Sequence, residues 1–214
     1  MKANTISMNI LVDSSGSIEP IASDMVGSLN KLVDENRELD VFVSYSIFSN
    51  EYQPVFANVP IKDVKRFQLK PDGMTALVES AYKMIDEVGA RLAAIPEEER
   101  PEKVMFVIVT DGEENNSKPE YTKERLLAKI KEQIEVYNWL FLYLGANQDA
   151  ISVAESYGIS AGHAASYEFC SIANDAGFDC ILSEKLVAFA CSTDAMQDIG
   201  FSDDDRALLV GKKV

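Results

Sequence analysis

The sequence predicts an α/β fold: a doubly wound, mostly parallel sheet with helices on both faces and one antiparallel edge strand. Strand-like and helical segments alternate along the chain, which favours a parallel sheet with right-handed crossovers. Residues 103–110 and 139–144 are almost entirely apolar, as expected of strands buried on both faces. Residues 40–49 and 52–59 are separated only by residues 50–51, which indicates a hairpin and therefore antiparallel pairing at one edge.

The chain begins with a strand, a polar turn and a helix. Residues 6–12 are mostly apolar and lead into the turn Asp-Ser-Ser-Gly-Ser at residues 13–17. Apolar residues then recur at helical spacing from Ile18 to Val33, which predicts a helix with Pro20 at an early position, where its missing N–H is tolerated. In an open α/β sheet such a turn lies at the carboxyl end of a strand, where ligands bind.

The next elements form the predicted edge of the sheet and a second helix. Residues 40–49 are rich in β-branched and aromatic residues, and residues 52–59 form an edge strand because Pro54 cannot donate to a central ladder. Residues 61–69 are a polar connector or short helical turn. A loop at residues 70–75 precedes helical periodicity from Leu77 to Leu92.

The second half of the chain continues the alternation. Residues 96–102 are an acidic stretch with two prolines, interpreted as a solvated loop before the strand at 103–110. Thr122 is expected to cap the next helix. The face of that helix predicted to be buried consists of Leu126, Leu127, Ile130, Ile134 and Tyr137.

After the strand at 139–144 the pattern becomes weaker. We predict a helix at residues 148–157, capped by Asn147 and ended by Gly158 in a left-handed conformation. Apolar residues between 178 and 190 support another helix, and residues 202–205 can open a last short one as a variant of the capping box. We expect a single domain over residues 1–214, with a core at about 4–160 and a helical extension at 161–214 packed on it.

The composition excludes several classes of function. The 214 residues include 35 Asp and Glu but only 20 Lys and Arg, giving a net charge of −15 that repels phosphate backbones and anionic lipid. We therefore expect neither nucleic-acid nor membrane binding. Cys170, Cys180 and Cys191 form no CxxC pattern and are expected to be buried free thiols. No apolar leader precedes the first strand and no apolar run reaches about 18 residues, so we expect a soluble, cytoplasmic protein.

Oxygen-bearing side chains follow three of the predicted segments. Asp13, Ser15 and Ser17 alternate in the first turn and can converge because Gly16 permits a tight turn. The strands ending at residues 12 and 110 are expected to be neighbours, which would bring Asp13 and Asp111 together with the Thr75 loop arching over them. Two carboxylates and three hydroxyls form a hard-oxygen set that suits Mg²⁺.

The small number of charged ligands predicts binding and not catalysis. An ion held mainly by neutral hydroxyls stays electron-poor and keeps exchangeable water positions, so the carboxylate of another molecule can complete its shell. No general base or nucleophile is evident beside these residues. We therefore expect a protein partner that presents an Asp or Glu carboxylate, and no enzymatic activity.

These residues resemble the metal-ion-dependent adhesion site (MIDAS) of von Willebrand factor A domains. The resemblance rests on residues 13–17, on Gly73-Met74-Thr75 and on Thr110-Asp111-Gly112, and it spans roughly residues 4 to 160. It implies a Rossmann-like fold, and it also implies that Mg²⁺ or Mn²⁺ is bound. By resemblance, the residues that contact the metal or its waters are Asp13, Ser15, Ser17 and Thr75, while Asp111 acts through water. The chain is similar to compact stand-alone members from bacteria and phages.

Other interpretations of the same residues remain open at this stage. Asp13, Ser15 and Ser17 could cap the helix behind them, and Thr75 could cap the helix that follows it. The run at residues 113–115 is interpreted as a solvated loop in preference to a specificity rim. The metal could also merely steady the loops of a structural or assembly module.

Two other functional classes, an enzyme and a nucleotide-binding protein, fit the sequence less well. A Mg²⁺-dependent phosphohydrolase commonly needs a second carboxylate two residues after the first, where this chain has Ser15. A nucleotide-binding protein would carry GxGxxG after the first strand or GxxxxGK[ST], and neither motif occurs. His163, the only histidine, has no nearby Cys or His that would favour a metal site.

Overall fold

The computed structural model describes residues 1–146, 149–168, 177–192 and 199–211. Its strands are β1 (Lys2–Asp13), β2 (Val41–Phe48), β3 (Tyr52–Pro60), β4 (Pro101–Thr110), β5 (Leu140–Ala146) and β6 (Ala164–Tyr167). Its helices are α1 (Ala22–Glu35), α2 (Leu77–Ala93), α3 (Lys123–Tyr137), α4 (Ala150–Ser156), α5 (Phe178–Cys191) and α6 (Asp203–Leu209). Short 3-10 turns lie at Gly16–Ile18, Ile61–Asp63, Glu97–Glu99 and Ala161–His163.

The six strands form one sheet in the order β3-β2-β1-β4-β5-β6. Every neighbouring pair is parallel except β2 and β3, which pair antiparallel at the edge. The predicted fold class, with its antiparallel edge strand, is confirmed. The strand order places β1 beside β4 at the centre of the sheet, so the turns that follow Val12 and Val109 lie side by side.

Two apolar cores cover the two faces of this sheet. Alternate residues of β1 and β4, such as Met8 and Val107, pack on the side of α1 and α5, whereas Leu11 and Phe106 pack on the side of α2, α3 and α4. This arrangement explains why the central strands read as continuous apolar runs: neither face is left to solvent.

Several predicted element boundaries are wrong. α1 begins at Ala22 and not at Ile18, because a 3-10 turn comes first and Pro20 lies in the link to α1. β4 begins at Pro101, so only Glu97–Glu99 of the acidic stretch forms a turn of its own. Tyr137, predicted to be buried, is 58% exposed at the last position of α3.

The C-terminal part contains a strand that the sequence analysis did not predict. β6 has only four residues and extends the sheet beside β5. The predicted end of α4 is confirmed, since Gly158 has φ +86°. The predicted capping box is present at Ser202 and Asp205. The cap proposed at Asn147 and the helical start at residue 148 lie outside the described residues, and Asp149 caps α4.

The cysteines differ from the prediction of buried thiols. Cys180 and Cys191 are free, as expected, but both are exposed on α5. Cys170 lies outside the described residues. No helix in the described part of the chain is long and apolar enough to cross a bilayer.

Candidate metal centre

The first polar turn is anchored to the end of β2 and does not cap a helix. The backbone N–H and the Oγ of Ser14 both donate to the carbonyl of Phe48, at 2.7 and 2.9 Å. The N-cap residues of the 3-10 turn and of α1 are Ser15 and Ile21, and neither start has a side-chain cap. The helix-capping interpretation of the three oxygen side chains of this turn is therefore wrong.

Hydrogen bonds connect four of the five predicted ligands. The Oδ1 of Asp13 accepts the backbone N–H of Ser15 at 2.7 Å. The Oγ atoms of Ser15 and Ser17 lie 3.1 Å apart, and Ser17 Oγ donates to Asp111 Oδ1 at 2.9 Å. The structure thus brings the ends of β1 and β4 together, as the strand order requires.

The fifth predicted ligand, Thr75, faces the same point from the loop before α2. A Cβ atom at Gly112 would lie 3.3 Å from Thr75 Oγ1 and 3.9 Å from Ser17 Oγ, so both hydroxyls border the glycine that follows Asp111. Thr75 does not cap α2, because the N-cap residue is Ala76 and the side-chain acceptor of Val78 N–H at the start of the helix is Glu114. Capping therefore does not account for the Thr75 hydroxyl.

Backbone contacts fix the loop that carries Thr75 against the first turn. Gly16 N–H donates to the carbonyl of Gly73 at 3.1 Å, and Asp72 N–H donates to the carbonyl of Ser14 at 2.8 Å. Gly73 has φ +84°, and a Cβ atom there would lie 2.6 Å from Asn50 Nδ2. A side chain at this position would strain the backbone and displace the side chain of Asn50, so glycine is favoured here.

The run at residues 113–115 divides into three different roles. Glu113 is exposed, as the solvated-loop interpretation expects. Glu114, however, accepts hydrogen bonds at both carboxylate oxygens, among them one of 2.6 Å from Val78 N–H at the start of α2. Asn115 exchanges two hydrogen bonds with the backbone of Thr75. The solvated-loop interpretation is therefore wrong for Glu114.

Electrostatics at the centre favour an added cation. Asp13 is 0% exposed, and burial raises its pKa to about 6, although hydrogen bonds from Thr110 and Ser15 oppose the shift. Burial also raises the pKa of Asp111. No Lys or Arg side chain of the described residues forms an ion pair with either carboxylate or lowers its pKa.

The donor set fits a hard divalent ion. All five candidate side chains offer oxygen, which Mg²⁺ and Mn²⁺ prefer and which gives no advantage to soft, sulfur-seeking metals. Among the residues that the structure describes, no cluster of three or more His, Cys, Asp and Glu side chains is placed to hold a metal. The candidate centre differs from such clusters, because it combines two carboxylates with three hydroxyls.

Sequence reasoning missed the residues that hold the ligands in place. Thr110 Oγ1 donates to Asp13 Oδ2 at 2.6 Å, and Asn50 Oδ1 accepts the N–H of Met74 at 2.9 Å. A signal existed for Thr110, because this polar residue follows the apolar residues 104–109 and belongs to the segment Thr110-Asp111-Gly112, although no role was assigned to it. The roles of Asn50 and Glu114 depend on contacts between distant segments and left no local signal.

Comparisons with known proteins bear on the fold. No family model matches the sequence, and no curated protein matches it. A von Willebrand factor type A structure from Catenulispora acidiphila covers 88% of this chain and 43% of its own, at 15% identity and a TM-score of 0.55. Proximal thread matrix protein 1 from the mussel byssus, with a zinc-occupied MIDAS motif, covers 88% and 46%, at 16% identity and a TM-score of 0.58.

A third solved structure agrees with these two. VWA2, a paralogue of ArnB from Sulfolobus acidocaldarius, covers 88% of this chain and 46% of its own, at 17% identity and a TM-score of 0.51. The chain therefore has the von Willebrand factor A fold. It spans less than half the length of each of these three proteins.

Proposed function

We propose that this chain, which has the von Willebrand factor A fold, is a metal-dependent protein-binding module. Mg²⁺ or Mn²⁺ bound at the ends of β1 and β4 would capture an Asp or Glu carboxylate of a partner protein. The observation that carries this proposal is the convergence of oxygen side chains around Asp13, a fully buried carboxylate that has hydroxyl and amide donors but no cationic partner among the described residues.

Each ligand has a distinct role in this proposal. Asp13 supplies the charge that retains the ion, while Ser15, Ser17 and Thr75 supply neutral oxygens and Asp111 acts through water. When bound, the ion supplies a positive charge that attracts an incoming carboxylate. Because most of the ligands are neutral, that charge is only partly compensated by the protein.

The likeness to known structures supports a metal at this site in a general way. Proximal thread matrix protein 1 has this fold and a MIDAS motif occupied by zinc. The oxygen-only set of this chain leads us to favour Mg²⁺ or Mn²⁺ over zinc, which more often uses nitrogen and sulfur ligands.

A purely structural role for the metal is the second possibility, and the loop contacts argue against it. The first turn, the Thr75 loop and the loop after β4 are already joined by direct hydrogen bonds, such as Gly16 to Gly73 and Asn115 to Thr75. A metal is therefore not needed to hold them together. An enzymatic role is not proposed, because Ser15 stands where a phosphohydrolase needs its second carboxylate.

Further expectations accompany this proposal. We treat residues 1–214 as one domain, since β6 extends the sheet and α5 packs on α1. The two described cysteines are free and exposed, which favours a reducing, cytoplasmic compartment. The charge of −15 argues against nucleic-acid and anionic membrane partners.

Metal binding is tested by calorimetry with Mg²⁺ and with Mn²⁺. We expect the wild-type protein to bind and Asp13→Ala to lose binding while remaining folded by circular dichroism. Asp72→Ala is the matched control, because it removes an exposed carboxylate beside the site and should bind nearly as well as the wild type. Unchanged affinity in Asp13→Ala would contradict the assignment.

Partner capture is tested separately. Proteins that co-purify with the immobilised domain in Mg²⁺ are compared with those retained in EDTA. Single Asp→Asn and Glu→Gln replacements are then made in each partner protein that is retained only in Mg²⁺. One such replacement should abolish capture. Retention of the same proteins in EDTA would favour a structural module. Hydrolysis of phosphate esters by the wild type that is lost in Asp13→Asn would favour an enzyme.

A further inference from the structure

The helix that follows Thr75 lacks a cap of its own. The first amide groups of an α-helix have no acceptor within the helix and are normally satisfied by an N-cap side chain. In α2 the N-cap residue is Ala76, which has no side-chain oxygen and therefore makes no cap hydrogen bond of its own. Another segment must therefore supply the acceptors.

The acceptors come from residues 114–118, here called the capping loop. Val78 N–H donates to Glu114 Oε2 at 2.6 Å, and Glu79 N–H donates to Ser117 Oγ at 2.9 Å. Ser117 Oγ in turn donates to Glu114 Oε2 at 2.7 Å, so the two caps support each other. A carboxylate at this position also interacts favourably with the positive end of the helix dipole.

The second oxygen of Glu114 shapes the capping loop itself. Oε1 accepts the N–H groups of Asn116 and Ser117, at 2.8 and 2.7 Å. The Glu114 side chain therefore stabilises the conformation of the capping loop and also binds this loop to α2. Lys118 adds a further link, since its N–H donates to Glu79 Oε2 at 3.2 Å and its Nζ lies 3.1 Å from Glu79 Oε1.

Asn115 extends this contact to the metal ligand. Thr75 N–H donates to Asn115 Oδ1 at 2.9 Å, and Asn115 N–H donates to the carbonyl of Thr75 at 3.0 Å. Thr75 is thus held on both sides of its backbone by a residue only four positions after Asp111. The short stretch from Asp111 to Asn115 therefore sets the distance between the loop that carries Asp111 and the loop that carries Thr75.

We propose that Glu114 and Asn115 are positioning residues of the metal centre, which hold Thr75 at the correct distance from Asp111. Glu114 does so by capping α2 from the loop after β4, and Asn115 by hydrogen bonds to the backbone of Thr75. This inference rests on the proposed function, since it concerns the same site. Mutation of residues that orient metal ligands commonly lowers metal affinity by about 10- to 100-fold. Neither residue is expected to contact the metal.

The first test replaces Glu114 with its neutral isostere. In Glu114→Gln one carboxylate oxygen becomes an NH₂ group, which cannot accept the N–H groups that one side of Glu114 now binds. We expect Mn²⁺ and Mg²⁺ affinity, measured by calorimetry well below the melting temperature of each variant, to fall about tenfold or more. Glu113→Gln is the matched control, because it removes one charge from the adjacent exposed residue. Its affinity should change by less than about threefold.

The second test uses Asn115 and does not alter the charge at Glu114. Asn115→Ala removes the acceptor of the Thr75 N–H, whereas Asn115→Asp retains an acceptor oxygen. We expect Asn115→Ala to weaken metal binding about tenfold and Asn115→Asp to bind at least as tightly as the wild type. A role confined to stability would lower the melting temperature of Asn115→Ala without changing its affinity in the folded state.

The outcomes separate this inference from the proposed function. If the wild type binds no divalent ion, the proposed function fails and this inference fails with it. If the wild type binds and Glu114→Gln matches Glu113→Gln, or Asn115→Ala matches the wild type, only the positioning role is overturned. Selective loss in Glu114→Gln and Asn115→Ala supports it.

Discussion

Thr110 Oγ1 donates a 2.6 Å hydrogen bond to Asp13 Oδ2 and joins the ends of β4 and β1 beneath the candidate metal centre. The other oxygen of Asp13 accepts the N–H of Ser15. Both carboxylate oxygens therefore accept hydrogen bonds, but the buried charge has no cationic partner among the described residues. Hydrogen bonds from neutral groups alone do not replace the hydration that a carboxylate loses on burial.

This relationship predicts that Asp13→Asn stabilises the metal-free protein. Removing the buried charge should raise the free energy of unfolding in EDTA by about 1–2 kcal/mol, because burial disfavours the charged form of Asp13 and an amide can keep an acceptor for Ser15. Urea unfolding in EDTA provides the measurement. The same variant should show no stabilisation by Mg²⁺, whereas the wild type should gain stability as RT ln(1 + [Mg²⁺]/Kd).

Asp72→Asn is the control for this prediction. Its side chain is exposed, so the loss of its charge should change the free energy of unfolding by less than about 0.5 kcal/mol and leave the Mg²⁺ effect intact. A destabilised Asp13→Asn would mean that its hydrogen bonds outweigh the cost of the buried charge.

The fold could be predicted because its signals are local and strong. The strand now assigned as β5 is apolar over its whole length, and β4 is apolar over residues 104–109. The polar residues of the first turn begin at Asp13, the last residue of β1. The apolar spacing does not reveal where α1 begins, because Ile18, in the 3-10 turn, and Ile21 continue the spacing of the helix. β6 was missed because four residues are too few to show a period.

The candidate site was predictable only in part, for a different reason. The oxygen side chains stand in short motifs whose spacing is visible in the sequence. The contacts that fix them, such as Glu114 with Val78 and Asn50 with Met74, link segments that lie 36 and 24 positions apart. Such contacts depend on the register between loops, which no local pattern encodes.

Gly73→Ala should destabilise the protein and weaken metal binding. The residue has φ +84°, a conformation that costs an L-amino acid about 1–2 kcal/mol, and its Cβ would lie 2.6 Å from Asn50 Nδ2. The Thr75 loop should shift as a result. We expect the free energy of unfolding to fall by about 1–3 kcal/mol and metal affinity to fall with it, as measured by urea unfolding and calorimetry.

Gly27→Ala provides the opposite control. Gly27 lies in the exposed part of α1, and nothing lies within 4 Å of a Cβ atom built there. Alanine in a helix interior is favoured over glycine by about 0.5–1 kcal/mol, so this variant should be more stable and bind metal as the wild type does. Equal behaviour of the two variants would contradict the strain assigned to Gly73.

Glu79 should contribute to the acid sensitivity of the fold. Burial alone would raise its pKa, but hydrogen bonds from Lys83 and Lys118 outweigh burial and lower the pKa below its ordinary value of 4.5. A carboxylate with a lowered folded-state pKa stabilises the protein above its unfolded-state pKa, and this stabilisation is lost as the pH falls through the folded-state value. Glu79→Gln should therefore be less stable than the wild type at neutral pH, by about 1–3 kcal/mol.

The pH dependence distinguishes this mechanism from a simple packing defect. The stability difference between wild type and Glu79→Gln should shrink as the pH falls below 4.5, when measured by urea unfolding in the absence of metal. Glu132→Gln, which alters an exposed residue of α3, should show no comparable difference at any pH. A gap for Glu79→Gln that stays constant with pH would exclude the ion pairs as its cause.

Lys103 should hold α5 to the sheet. Lys103 lies near the start of β4, and its buried ammonium group donates to three carbonyls at the C-terminal end of α5. These are the carbonyls of Phe189, Ala190 and Ser192, at 2.6, 3.0 and 2.6 Å. Lys103→Met keeps the apolar stem but leaves these carbonyls without that donor. We expect a loss of about 2–4 kcal/mol in the free energy of unfolding and faster hydrogen exchange in α5 than in α2. Lys131→Met, at an exposed position of α3, should change neither quantity. Unaltered hydrogen exchange in α5 of the Lys103→Met variant would show that apolar packing alone holds this helix to the sheet.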